Sequence, residues 1–159
     1  MQSTFTDLSY LKKSMMYVAF EGIDGSGKST ALQGTKDWLE KNGYKVLAVK
    51  EFWYQSIRDA ILSGEMPVRS QILLAFADRI ALIENVIKPA LEERCIVLCD
   101  RSYLSTLAYQ GYGMGYLNEV RQLINDYLPM EPNWVFWFDC PVETALKRIS
   151  PEDWIEKYV

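Results

Sequence analysis

The sequence predicts an α/β domain, a parallel sheet flanked by helices in three layers. Three observations point there. Strand-like and helix-like segments alternate along the chain. The strand-like segments, residues 17–21, 45–50, 95–100 and 134–139, are continuous apolar runs, the pattern of parallel strands covered on both faces. The stretch Gly22-Ile23-Asp24-Gly25-Ser26-Gly27-Lys28-Ser29 has the spacing G-x-x-x-x-G-K-S and stands where the first strand hands over to a helix.

Each element has its own signal. Residues 17–21 form a short apolar run before the glycines. The helix predicted over Lys28–Lys41 is closed by Gly43, and the one over Gln55–Leu62 by Gly64. A long helix is expected over 68–93, where Ile72, Phe76, Ile80, Ile83 and Ile87 recur at helical spacing and define a buried stripe. Further helices are expected over 118–128 and 142–149. The order β-α-β-α implies right-handed crossovers between parallel strands. Residues 1–15 read as a flexible N-terminal extension, with Met15 or Met16 as an alternative start, and residues 16–159 as one domain.

Composition narrows the function classes. The 159 residues are 49% apolar and 24% charged, as in a globular protein. A net charge of −4 without a Lys/Arg run argues against a polymeric nucleic-acid partner. No apolar run reaches the roughly 18 residues of a membrane span, so no membrane partner is expected. Three cysteines and no histidine argue against a zinc site. Cys95 and Cys99 would lie about 13 Å apart on a strand, too far to bridge. They read as buried small residues of a reducing compartment, hence a cytoplasmic protein.

The glycine-rich stretch carries the chemistry. At a strand-to-helix turn, free backbone N–H groups and the helix dipole hold an anion. Gly22, Gly25 and Gly27 let the main chain wrap phosphates, with Asp24, Ser26 and Thr30 in the same stretch. Lys28 reaches the outer phosphates and the Ser29 hydroxyl can ligate Mg²⁺, which makes this a nucleoside triphosphate site. A second site follows at the strand end, where Asp100 is placed to share that Mg²⁺ and Arg101 to hold a phosphate. A third is Arg79, at the edge of the apolar stripe of 68–93. An inward arginine there needs a partner, either an internal carboxylate or a ligand oxygen in a pocket.

At this point the residues resemble a family. Phe20 to Thr30 is similar to the phosphate loop of thymidylate kinases. Leu73-Leu74-Ala75-Phe76-Ala77-Asp78-Arg79 and Val86-Ile87-Lys88-Pro89-Ala90-Leu91 are similar to its acceptor-side helix. Asp100-Arg101-Ser102-Tyr103-Leu104-Ser105-Thr106-Leu107-Ala108-Tyr109-Gln110-Gly111 resembles the family's D-R-x-x-x-S-x-x-A-Y-Q-G, and residues 132–149 its following strand and helix. The resemblance implies the P-loop NTPase fold and transfer of the ATP γ-phosphoryl group to dTMP, with Mg²⁺. It implies Lys28, Asp100 and Arg101 as catalytic residues, with Arg101 on the acceptor phosphate. Arg79 would meet a thymine carbonyl, and Asp24 would lie near the sugar 3′-hydroxyl. Ser105, Thr106 and Gln110 would line the base and sugar, and Tyr109 would close the space of a 2′-hydroxyl.

The chain departs from that pattern in three places. The family's base-stacking aromatic is Ala75 here. The adjacent Phe76 is either a core residue or the platform, since one helical position is a rotation of about 100°; Phe52 or Trp53 are the other stacking candidates. The segment Lys50 to Arg58 is shorter than the family's and lacks glycine; the resemblance implies phosphate-side roles for Glu51 and Arg58, with an ordinary exposed helix charge as the alternative for Arg58. After Arg148 only eleven residues follow, so the lid and fifth strand are expected to be missing and the four-stranded sheet to have an exposed edge. The alternatives are another deoxynucleoside monophosphate or nucleoside kinase of this fold, or a nucleotide-binding homologue without catalysis. A homodimer is an open possibility for assembly.

Overall fold

The computed structural model describes residues 15–149. Residues 1–14 of the N-terminal extension expected over 1–15, and residues 150–159, lie outside the described residues. Four parallel strands, β1 (Met16–Glu21), β2 (Val46–Lys50), β3 (Ile96–Asp100) and β4 (Trp134–Trp137), form one sheet in the order β2-β3-β1-β4. All four therefore end at the same edge, where loops gather the polar residues.

Pleating sorts the central strands into two faces. Val18, Phe20, Ile96 and Leu98 point to one side and pack on Leu32 and Leu39 of α1 (Lys28–Lys41). Tyr17, Val97 and Cys99 point to the other, against Leu82, Ile83, Ile87 and Leu91. Those four residues belong to α3 (Val68–Leu82), a π-helical turn (Ile83–Ile87) and α4 (Lys88–Glu92). The three layers follow directly. α2 (Gln55–Leu62) packs beside α3, while Ile72 and Phe76 carry a further cluster with Val120 of α6 (Leu117–Tyr127).

The expected single helix over 68–93 is thus interrupted in its hydrogen-bond pattern. Pro89 has no N–H to return to Asn85, and the wider π turn just before it accommodates that loss. A second helical stretch, α5 (Tyr103–Thr106) continuing as a π-helical segment (Leu107–Gly113), was not among the sequence expectations. Ser102 starts it as N-cap, its Oγ accepting the Leu104 N–H at 3.3 Å. The last helix, α7 (Val142–Leu146), is shorter than the expected 142–149.

The expectation that every strand is covered on both faces fails at β4. α1 lies across β2, β3 and β1, and β4 occupies the sheet edge beyond it. Trp134, Phe136 and Trp137 consequently remain more than half exposed. Among the described residues β4 has a single neighbour in the sheet, β1.

Leu98 is 1% exposed between β1 and α1. Leu98→Ala should lower unfolding free energy by about 2–5 kcal/mol in urea titration; a loss under about 1 kcal/mol would contradict this packing.

Candidate nucleotide site

The phosphate loop joins β1 to α1 as expected. Gly27, the N-cap of α1, has φ of +94° and no side-chain cap, so the first-turn N–H groups are left for another acceptor. A Cβ on Gly22 would meet the Phe138 carbonyl at 2.8 Å, so only glycine fits against the segment that leaves β4. The Ser26 hydroxyl is buried without a hydrogen-bond partner. Lys28 lies buried under the loop, its Nζ donating to the Ile23 carbonyl at 3.3 Å and to Asp24 Oδ1 at 3.2 Å. Burial, then the Arg101 charge, pushes its ammonium below the usual lysine range, against the pull of Asp24 and Asp100. Thr30 sits exposed in the first turn of α1.

Asp24 also receives Arg101, whose Nη2 approaches Oδ1 at 2.5 Å. One carboxylate therefore gathers two cations from separate elements. Arg101 has a left-handed φ of +80°, which turns its side chain from the end of β3 toward the loop. Its Nη1 donates to Ser105 Oγ at 3.1 Å, and its guanidinium lies 5.7 Å from the Tyr109 ring centroid. Gln110 follows on the same π-helical segment, half-buried.

Asp100 ends β3 with its Oδ2 accepting the Ser29 hydroxyl at 2.6 Å. Its Oδ1 is buried and has no partner. A hard cation fits this donor set: an orphaned carboxylate oxygen beside a hydroxyl, with anionic phosphate held next to it. Among the described residues no three acidic, cysteine or histidine side chains cluster as a metal site, so phosphate oxygens and water would supply the remaining ligands.

Arg79 lies deeper than its expected place at the stripe's edge, only 2% exposed. Of the two partners left open, the structure has the internal carboxylate. Nε donates to Glu51 Oε1 at 2.9 Å and Nη2 to Oε2 at 2.7 Å, a bidentate pair. Nη2 also donates to Thr106 Oγ1 at 3.0 Å, while Nη1 is buried without a partner. Burial is the largest influence on the guanidinium and opposes its charge. The Coulombic pull and hydrogen bonding of Glu51 outweigh it and hold the group above the usual arginine range. Phe76 is 3% exposed with its ring centroid 5.0 Å from the Arg79 guanidinium carbon, which makes it a core residue that also backs the arginine. Phe52, Trp53 and Lys50 line a cleft of about 440 Å³ together with Ser29 and Asp100. Arg58 is half-buried on α2.

Three contributors escaped the sequence reading. Glu21, at the end of β1, accepts the Ser102 N–H and Oγ at 2.7 Å each and Ser105 Oγ at 2.8 Å, and so anchors the segment bearing Arg101. An acid closing an apolar strand was the available signal, as for Asp100. Arg148 places Nη1 3.2 Å from the Gly25 carbonyl, adding a cation beside the phosphate loop. Asp78 accepts the Trp53 and Tyr54 N–H groups, both at 2.8 Å.

A glycine-rich anion cradle, a lysine beneath it and an arginine facing the same loop define the class: a phosphate-loop nucleotide enzyme. The thymidylate kinase family's sequence profile matches residues 20–157. A thymidylate kinase of Fervidobacterium nodosum is 40% identical over 150 residues, covering 89% of this chain and 76% of the relative. One from Finegoldia magna is 42% identical over 147 residues, covering 87% and 72%. The crystal structure of thymidylate kinase from Ehrlichia chaffeensis superposes with a TM-score of 0.74 at 31% identity, covering 84% of this chain and 81% of that one. The chain belongs to the thymidylate kinase family.

Glu51→Ala would leave the Arg79 guanidinium buried and unpaired. It should lower unfolding free energy by about 3–5 kcal/mol in chemical denaturation. A loss below about 1 kcal/mol would show that the pair is not closed in solution.

Proposed function

We propose that this chain transfers the γ-phosphoryl group of ATP to dTMP, giving dTDP, with Mg²⁺ bound during the reaction. The observation that carries the reading is the convergence of Lys28 and Arg101 on Asp24 beside an uncapped, glycine-built helix N-terminus. Two cations from different elements at one point suit two phosphate chains that must meet end to end. Phosphoryl transfer asks for alignment and neutralisation of charge more than for a covalent nucleophile.

In this reading the loop N–H groups and Lys28 hold the donor phosphates, while Arg101 draws the acceptor phosphate toward them. Ser29 and Asp100 would hold Mg²⁺, which supplies Lewis-acid neutralisation of phosphate charge. Asp24 keeps both cations aimed inward, and in this reading lies near the sugar 3′-hydroxyl. The unfilled Nη1 of Arg79 supports a role at a base carbonyl, with Thr106 beside it. Tyr109, braced on Arg101, supports exclusion of a 2′-hydroxyl. With Phe76 packed into the core, base stacking falls to Phe52 or Trp53, which line the same cleft. The free cysteines support a reducing, cytoplasmic setting.

Lys28→Ala should lower kcat at least about 10²-fold, or roughly 2.7 kcal/mol, in a coupled ADP assay with the fold retained by circular dichroism. Near-normal turnover would remove Lys28 from the reaction. Arg101→Lys should weaken dTMP, dUMP, dCMP and dGMP by a similar factor, because it loses a bidentate phosphate contact. Arg79→Lys should instead reorder those acceptors by base. Equal losses for all four with Arg79→Lys would assign Arg79 to a purely structural ion pair.

A further inference from the structure

Asp78 is 1% exposed, yet no ion pair found among the described residues includes it. A buried carboxylate is costly unless its oxygens are satisfied. Here both are satisfied by main chain alone: Oδ2 accepts the Trp53 N–H and Oδ1 the Tyr54 N–H, each at 2.8 Å. Tyr54 is the N-cap of α2 and makes no side-chain cap of its own, so the carboxylate of a neighbouring helix stands at that terminus. The next residue, Arg79, grips Glu51 bidentately. Glu51 is tied in turn to β3 through its N–H to the Asp100 carbonyl at 3.1 Å. Consecutive residues of α3 thus hold the chain on both sides of Phe52, and Phe52 lines the cleft with Ser29 and Asp100.

We propose that Asp78 is a positioning residue: its carboxylate fixes the 51–54 segment and thereby holds Phe52 in place beside Ser29 and Asp100. The inference rests on the proposed reading of Phe52 as a residue that stacks on the dTMP base. Asp78 touches neither nucleotide; it acts through the main chain of Trp53 and Tyr54. An apolar residue of similar size would fill the same core volume without ordering those two N–H groups, so the role is separable from packing.

Asp78→Asn in the full chain keeps the volume but turns an amide donor toward a main-chain donor. It should raise KM for dTMP at least about 10-fold, leaving KM for ATP and kcat at saturating dTMP within about 2-fold. Phe52→Ala should raise KM for dTMP by itself, and adding Asp78→Asn to it should change KM by less than about 2-fold. Independent, multiplying effects would overturn the proposal, as would an unchanged KM for dTMP with only a lowered melting temperature. Should Asp78→Asn fail to fold, Asp78→Glu retains both acceptor oxygens and is read by the same split and the same cycle. Amide exchange separates this proposal from the assignment of function. If the parent chain neither binds nor phosphorylates dTMP, the functional reading fails. Faster exchange at Trp53 and Tyr54 in Asp78→Asn then still supports the grip, and unchanged exchange overturns it.

Discussion

The site depends on one constraint: three neighbouring strands run out of apolar sequence into buried acids at the same edge. Glu21 closes β1, Asp100 closes β3, and Glu51 follows β2. Buried negative charge is costly there, so each acid draws in a partner from a different part of the chain, Asp100 through one oxygen only. Glu21 takes the start of α5, Glu51 takes the guanidinium of α3, and Asp100 takes the first turn of α1. Parallel pairing sets the spacing of the acids, and the acids set where the cations and hydroxyls stand. Fold and site are one arrangement at this edge.

The same kind of constraint holds the two cations at the loop. Lys28 and Arg101 would repel one another if brought together bare, and burial adds to that penalty on the lysine. Asp24 neutralises the pair and gives both side chains a fixed direction. Preorganisation of this kind is the main contribution a protein makes to phosphoryl transfer.

Much of this was legible in the sequence, for reasons that are physical. The phosphate loop is a local device, and its residues are spaced by the covalent chain, so G-x-x-x-x-G-K-S suffices to read it. Asp100 was legible because an acid ending an apolar parallel strand has few other places to be. The partner of Arg79 was not legible: Glu51 lies 28 residues away, and helical periodicity reports a face and not the group opposite it. Glu21 carried the same strand-end signal as Asp100, and the glycine pattern beside it drew attention away. Phe76 was undecided because one step along a helix separates core from cleft, and only the cluster with Val120 settles it. The exposure of β4 was partly readable: an apolar run reports a strand, while its cover depends on elements elsewhere in the chain.

In the proposed reaction the γ-phosphoryl group moves from ATP to a nucleoside monophosphate at this edge. Incubation of the purified chain with γ-labelled ATP, Mg²⁺ and dTMP, followed by separation of the nucleotides, tests it directly. Label should accumulate in dTDP in step with ADP formation and should require dTMP. Label released as free phosphate, or ATP bound without turnover, would contradict it.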